Sequence, residues 1–187
     1  MNTEGPTQPG YGAVAKILHW SILLLLAAQY AVGELMPHIS AKTPNEGLVS
    51  WHLSLGTAIL FFMIVRWVWR LTHPVPLPHD IAPWERRLAA ATHRLLYALI
   101  IAITVLGWAA GNFRGWDINL FGVLTLTPLA AKGTPWAHTA GDVHVVLVNV
   151  LLGVIALHAA GALYHHFFNG DEVLRRMIPD FNKQNGV

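Results

Sequence analysis

The stretch Val143-His144-Val145-Val146-Leu147-Val148-Asn149-Val150-Leu151-Leu152-Gly153-Val154-Ile155-Ala156-Leu157-His158-Ala159-Ala160-Gly161-Ala162-Leu163-Tyr164-His165-His166-Phe167-Phe168 decides how this chain folds. It holds no Asp, Glu, Lys or Arg, and a hydrocarbon core about 30 Å thick takes roughly 20 such residues per helical crossing. His144 and His158 are fourteen residues apart. At 3.6 residues per turn they lie within about 40° of one helix face, roughly 21 Å apart along the axis. This helix therefore carries one imidazole near each membrane surface on a single face, with Val148, Leu151 and Ile155 as an apolar spacer between them.

Three further segments reach the length of a crossing, so the expected transmembrane helices are about 15–34, 51–71, 92–111 and 142–168. Apolar residues make up 54% of the 187 and charged residues only 12%, and the apolar ones are gathered into these blocks. The pieces between are polar or proline-rich, with Pro74, Pro76, Pro78 and Pro83 inside ten residues. No strand-length alternation suggests a barrel, and an open sheet leaves its backbone unsatisfied in lipid. The expected fold is all-α, an integral membrane four-helix bundle in one membrane domain over residues 1–187. Trp84–Thr92 reads as a short interfacial stretch leading into the third helix. The first segment follows Lys16 but lacks a small-residue cleavage site, so it reads as a retained anchor. The chain has no cysteine, which excludes disulfides, thiolate metal sites and covalent c-type haem attachment.

Lysine and arginine set the orientation. Lys16, Arg66, Arg70, Arg86, Arg87, Arg94, Arg175, Arg176 and Lys183 fall on the side of the chain ends and the middle connection; Lys42, Arg114 and Lys132 fall on the other. Nine against three predicts both termini in the cytoplasm, and most of the basic pI of about 9.2 is this asymmetry. No basic patch interleaved with aromatics marks a nucleic-acid surface, so no nucleic-acid partner is expected. Trp116, Phe121 and Trp136 in the longest outer connection suit the headgroup level.

Eleven histidines in so uncharged a chain require an explanation. An imidazole inside a membrane segment is costly without a partner. Interhelical hydrogen bonding accounts for any one of them, but not readily for four at matching depths. The first helix rises from the inner side, so His19 is near that surface; the second descends, so His52 is near the outer one. The fourth also descends, with His144 outside and His158 inside. Span order and charge bias therefore pair His52 with His144 and His19 with His158.

Zinc sites gather three or four ligands at one level, whereas here the depths split two and two. Two imidazoles at each level suit a haem iron, and bis-histidine ligation leaves no open position, which favours electron transfer. Gly56, one turn from His52, makes room for a porphyrin. Arg66 lies at the inner depth, where it either meets a haem propionate or snorkels to the headgroups. His93 is also at the inner depth and competes with His19 as a ligand, or binds a propionate or quinone, or caps the interface. His138 is a weaker rival to His144 because it precedes the expected helix. His165 and His166 read as surface residues; His38, His73 and His79 are in loops without a role.

Lys16-Ile17-Leu18-His19-Trp20, Trp51-His52-Leu53-Ser54-Leu55-Gly56, Arg66-Trp67-Val68-Trp69-Arg70, Thr92-His93 with Tyr97, and Leu157-His158-Ala159-Ala160 with Tyr164-His165-His166 resemble, in order and spacing, the bacterial cytochrome b561 family. The resemblance runs from His19 to about Pro179. It implies a multi-pass inner-membrane protein with two non-covalent haems b, ligated from the first, second and fourth helices by His19, His52, His144 and His158. That carry-over favours His19 over His93. It further implies an oxidoreductase, embedded in membrane lipid, that oxidises superoxide at the outer face and passes electrons to ubiquinone as co-substrate. Lys132, Arg114 and Lys42 would draw such an anion or serve only to solvate the loops. Other members imply an alternative, a haem-bearing electron-relay subunit between quinol and a redox partner protein, without catalysis of its own. A reading of a different class is a haem-free membrane protein that uses the histidines to move protons or metal ions.

Overall fold

The computed structural model describes residues 10–40, 42–75 and 81–178; His79 and Lys183 lie outside the described residues. Four helices run as α1 (Ala13–Leu35), α2 (Leu48–Thr72), α3 (Pro83–Phe113) and α4 (Pro135–Tyr164), and a π-helical turn over His165–Asn169 extends α4. All four are long and apolar enough to cross a membrane. The even number of crossings brings the C-terminal segment back to the start of α1. There Lys16 Nζ donates to the Ile178 carbonyl at 2.7 Å, Trp20 Nε1 to Met177 at 2.9 Å and the Tyr11 amide to Arg176 at 3.4 Å. We call this the inner side.

Two helices begin earlier than their sequence suggests. Trp84–Thr92 is no separate interfacial stretch but the first turns of α3, which starts at Pro83. α4 starts at Pro135, so His138 lies within that helix rather than before it. Both differences have one cause. A proline reads as a breaker, yet in the first turn its missing N–H is not needed and its fixed φ suits the helix. At α3 the Glu85 carboxylate also accepts the Ala82 amide at 3.1 Å, satisfying a helix-start donor.

Packing joins α1 to α2, α2 to α3 and α3 to α4. Ile22, Ile59, Met63, Leu99, Ile100, Ile103 and Leu151 form the central core. Toward the outer side Ala109, Ala137 and Ala140 let α3 and α4 approach closely. Against α1 and α2, in contrast, the backbone of α4 comes near at isolated points at most. Only 6% of its most apolar window is buried, so α4 packs on α3 while much of its apolar surface stays uncovered by protein.

Outside the helices, the α3–α4 connection carries a small antiparallel hairpin, β1 (Asn119–Leu120) with β2 (Leu124–Thr125). Buried Asn112 anchors this connection: its Oδ1 accepts the Leu129 amide at 2.8 Å and its Nδ2 donates to the Trp116 carbonyl at 3.2 Å.

Ile59, 1% exposed at the centre of the core, tests whether this packing carries the stability. Ile59→Ala is expected to lower it by about 2–5 kcal/mol, read as an earlier midpoint in SDS-induced unfolding of the purified protein. An unchanged midpoint would place the principal core elsewhere.

Candidate haem-binding site

The intramembrane histidines meet in two levels. The rings of His52 and His144 face each other with centroids 6.2 Å apart, and those of His19 and His158 with centroids 6.3 Å apart. Both pairs bridge the spaces where α4 stands off from α2 and α1. All four rings are half-buried. His93 approaches the inner pair from α3, its ring centroid 5.2 Å from that of His158.

Local sequence explains how the outer pair is held. The His144 Nδ1–H donates to the Ile103 carbonyl at 2.8 Å, which fixes the tautomer and leaves Nε2 as the free lone pair. The ring lies flat against α3 only because residue 107 is glycine: a Cβ there would sit 2.9 Å from His144 Cε1. Gly33 of α1 lies beside the His52 ring, where an added Cβ would make ordinary van der Waals contact at 3.5 Å from Cε1. Gln29 of α1 donates from Nε2 to the His52 carbonyl at 3.0 Å, and its buried Oε1 has no protein partner. His52 Nδ1 is likewise buried without a partner.

A cavity of about 660 Å³ opens between these rings. That volume is within the range of sites for sizeable organic ligands, roughly 300–1,000 Å³. Its lining is mainly apolar and includes His52, His144, Gly33, Gly56 and Gly107, with Val148, Leu151 and Ile155 along its α4 wall. The apolar spacer read from the sequence thus lies between the two histidine levels, as its spacing requires. At the mouth stand Arg114, His138 and Asp142. The inner histidine pair lies outside this lining. His52 and His144 would hold the iron of a bound haem between their rings, and the haem would supply one-electron chemistry there. The outer pair, its glycine clearance and the cavity beside it fit a flat, apolar iron macrocycle.

The match with known proteins agrees. A family model described as prokaryotic cytochrome b561 covers residues 10–180. The chain belongs to this family. It is therefore a bacterial membrane protein that binds haem and transfers electrons. Cytochrome b561 homolog 2 of Escherichia coli (strain K12) is 28% identical over 97% of both chains. The probable superoxide oxidase CybB of Yersinia pestis is 32% identical over 87% of this chain and 92% of its own. Cytochrome b562 of Cereibacter sphaeroides is 28% identical over 91% of this chain and 96% of its own.

The remaining candidates divide. Arg66 is on the inner side, donating from Nη1 to the Ala15 carbonyl at 2.8 Å and acting electrostatically on His19, His93 and His158. Gly56 lines the outer cavity, but its missing side chain makes room for Gln29, whose Nε2 would be 3.4 Å from a Cβ there. His138 packs on Phe113 with 5.3 Å between ring centroids and lies 3.9 Å from the Asp142 carboxylate, at the cavity mouth. His73 stacks on Trp69. His165 is bound to Asp171 just past the π-turn, tying the end of α4 to the C-terminal segment. Sequence reading missed Gly33, Gly107 and Gln29. The glycines carried a signal, being small residues inside apolar helices, but which ring each one faces depends on helix rotation.

The clearance at Gly107 generates a test. Gly107→Ala should turn the His144 ring off Ile103 and lower the haem content of the purified protein, measured by pyridine haemochromogen. Gly153→Ala, on α4 with nothing within 4 Å of the added methyl, should leave it unchanged. Full haem content in Gly107→Ala would mean that His144 is not held by this contact.

Proposed function

We propose that this family member is a dihaem cytochrome b of the inner membrane that carries single electrons between a donor at the outer face and the ubiquinone pool. Each haem b is held non-covalently between two histidines: His52 and His144 at the outer level, His19 and His158 at the inner. The observation that carries this reading is the pair of opposed imidazole couples at two levels of the bundle, with ring centroids 6.2 and 6.3 Å apart.

The bound haems supply reversible one-electron chemistry. The chain's own residues keep the ligands in place and the surroundings dry. The Ile103 carbonyl holds His144 in one tautomer, and Gly107 allows α3 to lie against that ring. The His93 and His158 ring centroids are 5.2 Å apart, against 6.3 Å for His19 and His158. This favours His19 as the inner ligand and leaves His93 as its neighbour. Arg66 supplies the positive charge that an inner haem propionate requires in a low-dielectric setting.

Superoxide is the favoured donor. Arg114 lies at the mouth of the outer cavity, and the Lys132 stem packs beside it against Gly115. Cations at that rim attract a small anion, and one relative bears the name of a probable superoxide oxidase.

Histidine replacement tests the ligands. His52→Ala and His144→Ala should each leave one haem of two, and His19→Ala and His158→Ala should each remove the other; His93→Ala should retain both. If either outer variant keeps two haems, the pairing is wrong. Stopped-flow mixing of the oxidised protein with superoxide should raise the reduced α-band within the mixing experiment. A protein that ignores superoxide yet accepts electrons from a partner would be the relay subunit instead.

A further inference from the structure

Residues 118–131 of the outer connection, Ile-Asn-Leu-Phe-Gly-Val-Leu-Thr-Leu-Thr-Pro-Leu-Ala-Ala, contain no charged side chain. A connection of that length in water normally carries several. The hairpin β1–β2 within it presents Phe121 at 48%, Val123 at 88% and Leu124 at 54% exposure. Among the described residues only Trp51 stacks near this tip, and Val123 and Leu124 stay uncovered.

The hairpin is also low. Ser54 of α2 grips its base, donating from Oγ to the Asn119 carbonyl at 2.8 Å and accepting the Phe121 amide at 3.2 Å. Along α2 the uncharged run extends from Gly47 to Val65, between Glu46 and Arg66. That is roughly 28 Å of helix, close to the thickness of a hydrocarbon core. Ser54 lies seven residues into this run, about 10 Å from its outer end. Backbone at such a depth must satisfy its own polar groups. Along the strands the pairing does so in part, with Val123 N–H to Leu120 O at 2.9 Å, Leu126 N–H to Ile118 O at 2.9 Å and the two Ser54 bonds, while the turn at Phe121 and Gly122 keeps polar backbone groups that require headgroups or water. Phe121 further adopts φ +49°, a left-handed conformation that disfavours a side chain. Its ring meets the exposed Trp51 of α2, 5.6 Å between centroids.

We propose that this hairpin is an anchor seated at the headgroup–acyl boundary of the outer leaflet, with the side chains of Phe121, Val123 and Leu124 reaching the lipid acyl chains. Phe121 and Trp51 form its aromatic shoulder. Trp116 and Ile118, just before the hairpin, line the outer cavity, so the bilayer itself steadies one wall of the outer site.

The chain has no cysteine, which makes site-directed labelling clean. Val123→Cys and Leu124→Cys, each carrying a nitroxide, are to be compared in liposomes with Phe61→Cys on the lipid-facing side of α2 and Lys42→Cys on the exposed outer loop. The expected result is that labels at 123 and 124 relax with oxygen more than with a water-soluble nickel chelate, as at 61. A preference for the nickel chelate, as at 42, overturns the proposal. So does protection from both reagents, which would mean that a protein surface covers the tip.

Discussion

An imidazole in hydrocarbon must find a partner, and in this bundle the partners face each other across gaps. α4 packs on α3 but keeps its backbone away from α1 and α2, and both opposed histidine couples lie in the spaces this leaves. In a membrane, helices gain little by burying apolar surface against one another, since lipid is equally apolar; close packing and polar contacts decide where they sit. A helix as apolar and as little buried as α4 is therefore free to stand off from its neighbours. That freedom is what gives a large cofactor somewhere to lie.

Precision at the outer couple comes from groups that do not themselves face the gap. A backbone carbonyl fixes one nitrogen of His144, and a glycine on α3 lets that ring lie against a foreign helix. Such outer-shell partners orient a ligating imidazole and raise its basicity. The two outer rings are not equivalent, because His144 Nδ1 is hydrogen-bonded and His52 Nδ1 is not. The inner side differs again: three imidazoles share the field of Arg66, and the C-terminal segment is clasped to the start of α1 beneath them. Tyr11 joins that clasp, with the guanidinium groups of Arg70 and Arg176 over its ring. The two ends of the bundle are thus chemically different.

Much of this was legible in the residues. Apolar blocks of crossing length announce helices, because a lipid-embedded backbone has almost no other way to satisfy itself. Fourteen-residue spacing puts His144 and His158 on one face at opposite depths, and alternating helix direction then pairs each with a histidine of another helix. These inferences need only helix geometry and span order, and the histidines they pair do face each other. Helix starts at Pro83 and Pro135 were misjudged, since a proline's effect depends on whether it falls in a first turn or an interior.

By itself, then, the sequence determined the number of crossings, the depth of each imidazole and the partner opposite it, since rise per residue is a property of the helix alone. Only the tertiary structure decided which nitrogen of His144 is tied down, which glycine lies beside that ring, and that His93 comes nearer to His158 than His19 does. It also decided that the uncharged outer connection folds down onto Ser54. All of these depend on helix rotation and separation, which are set by packing between segments distant in the chain and leave no periodic trace within any one of them.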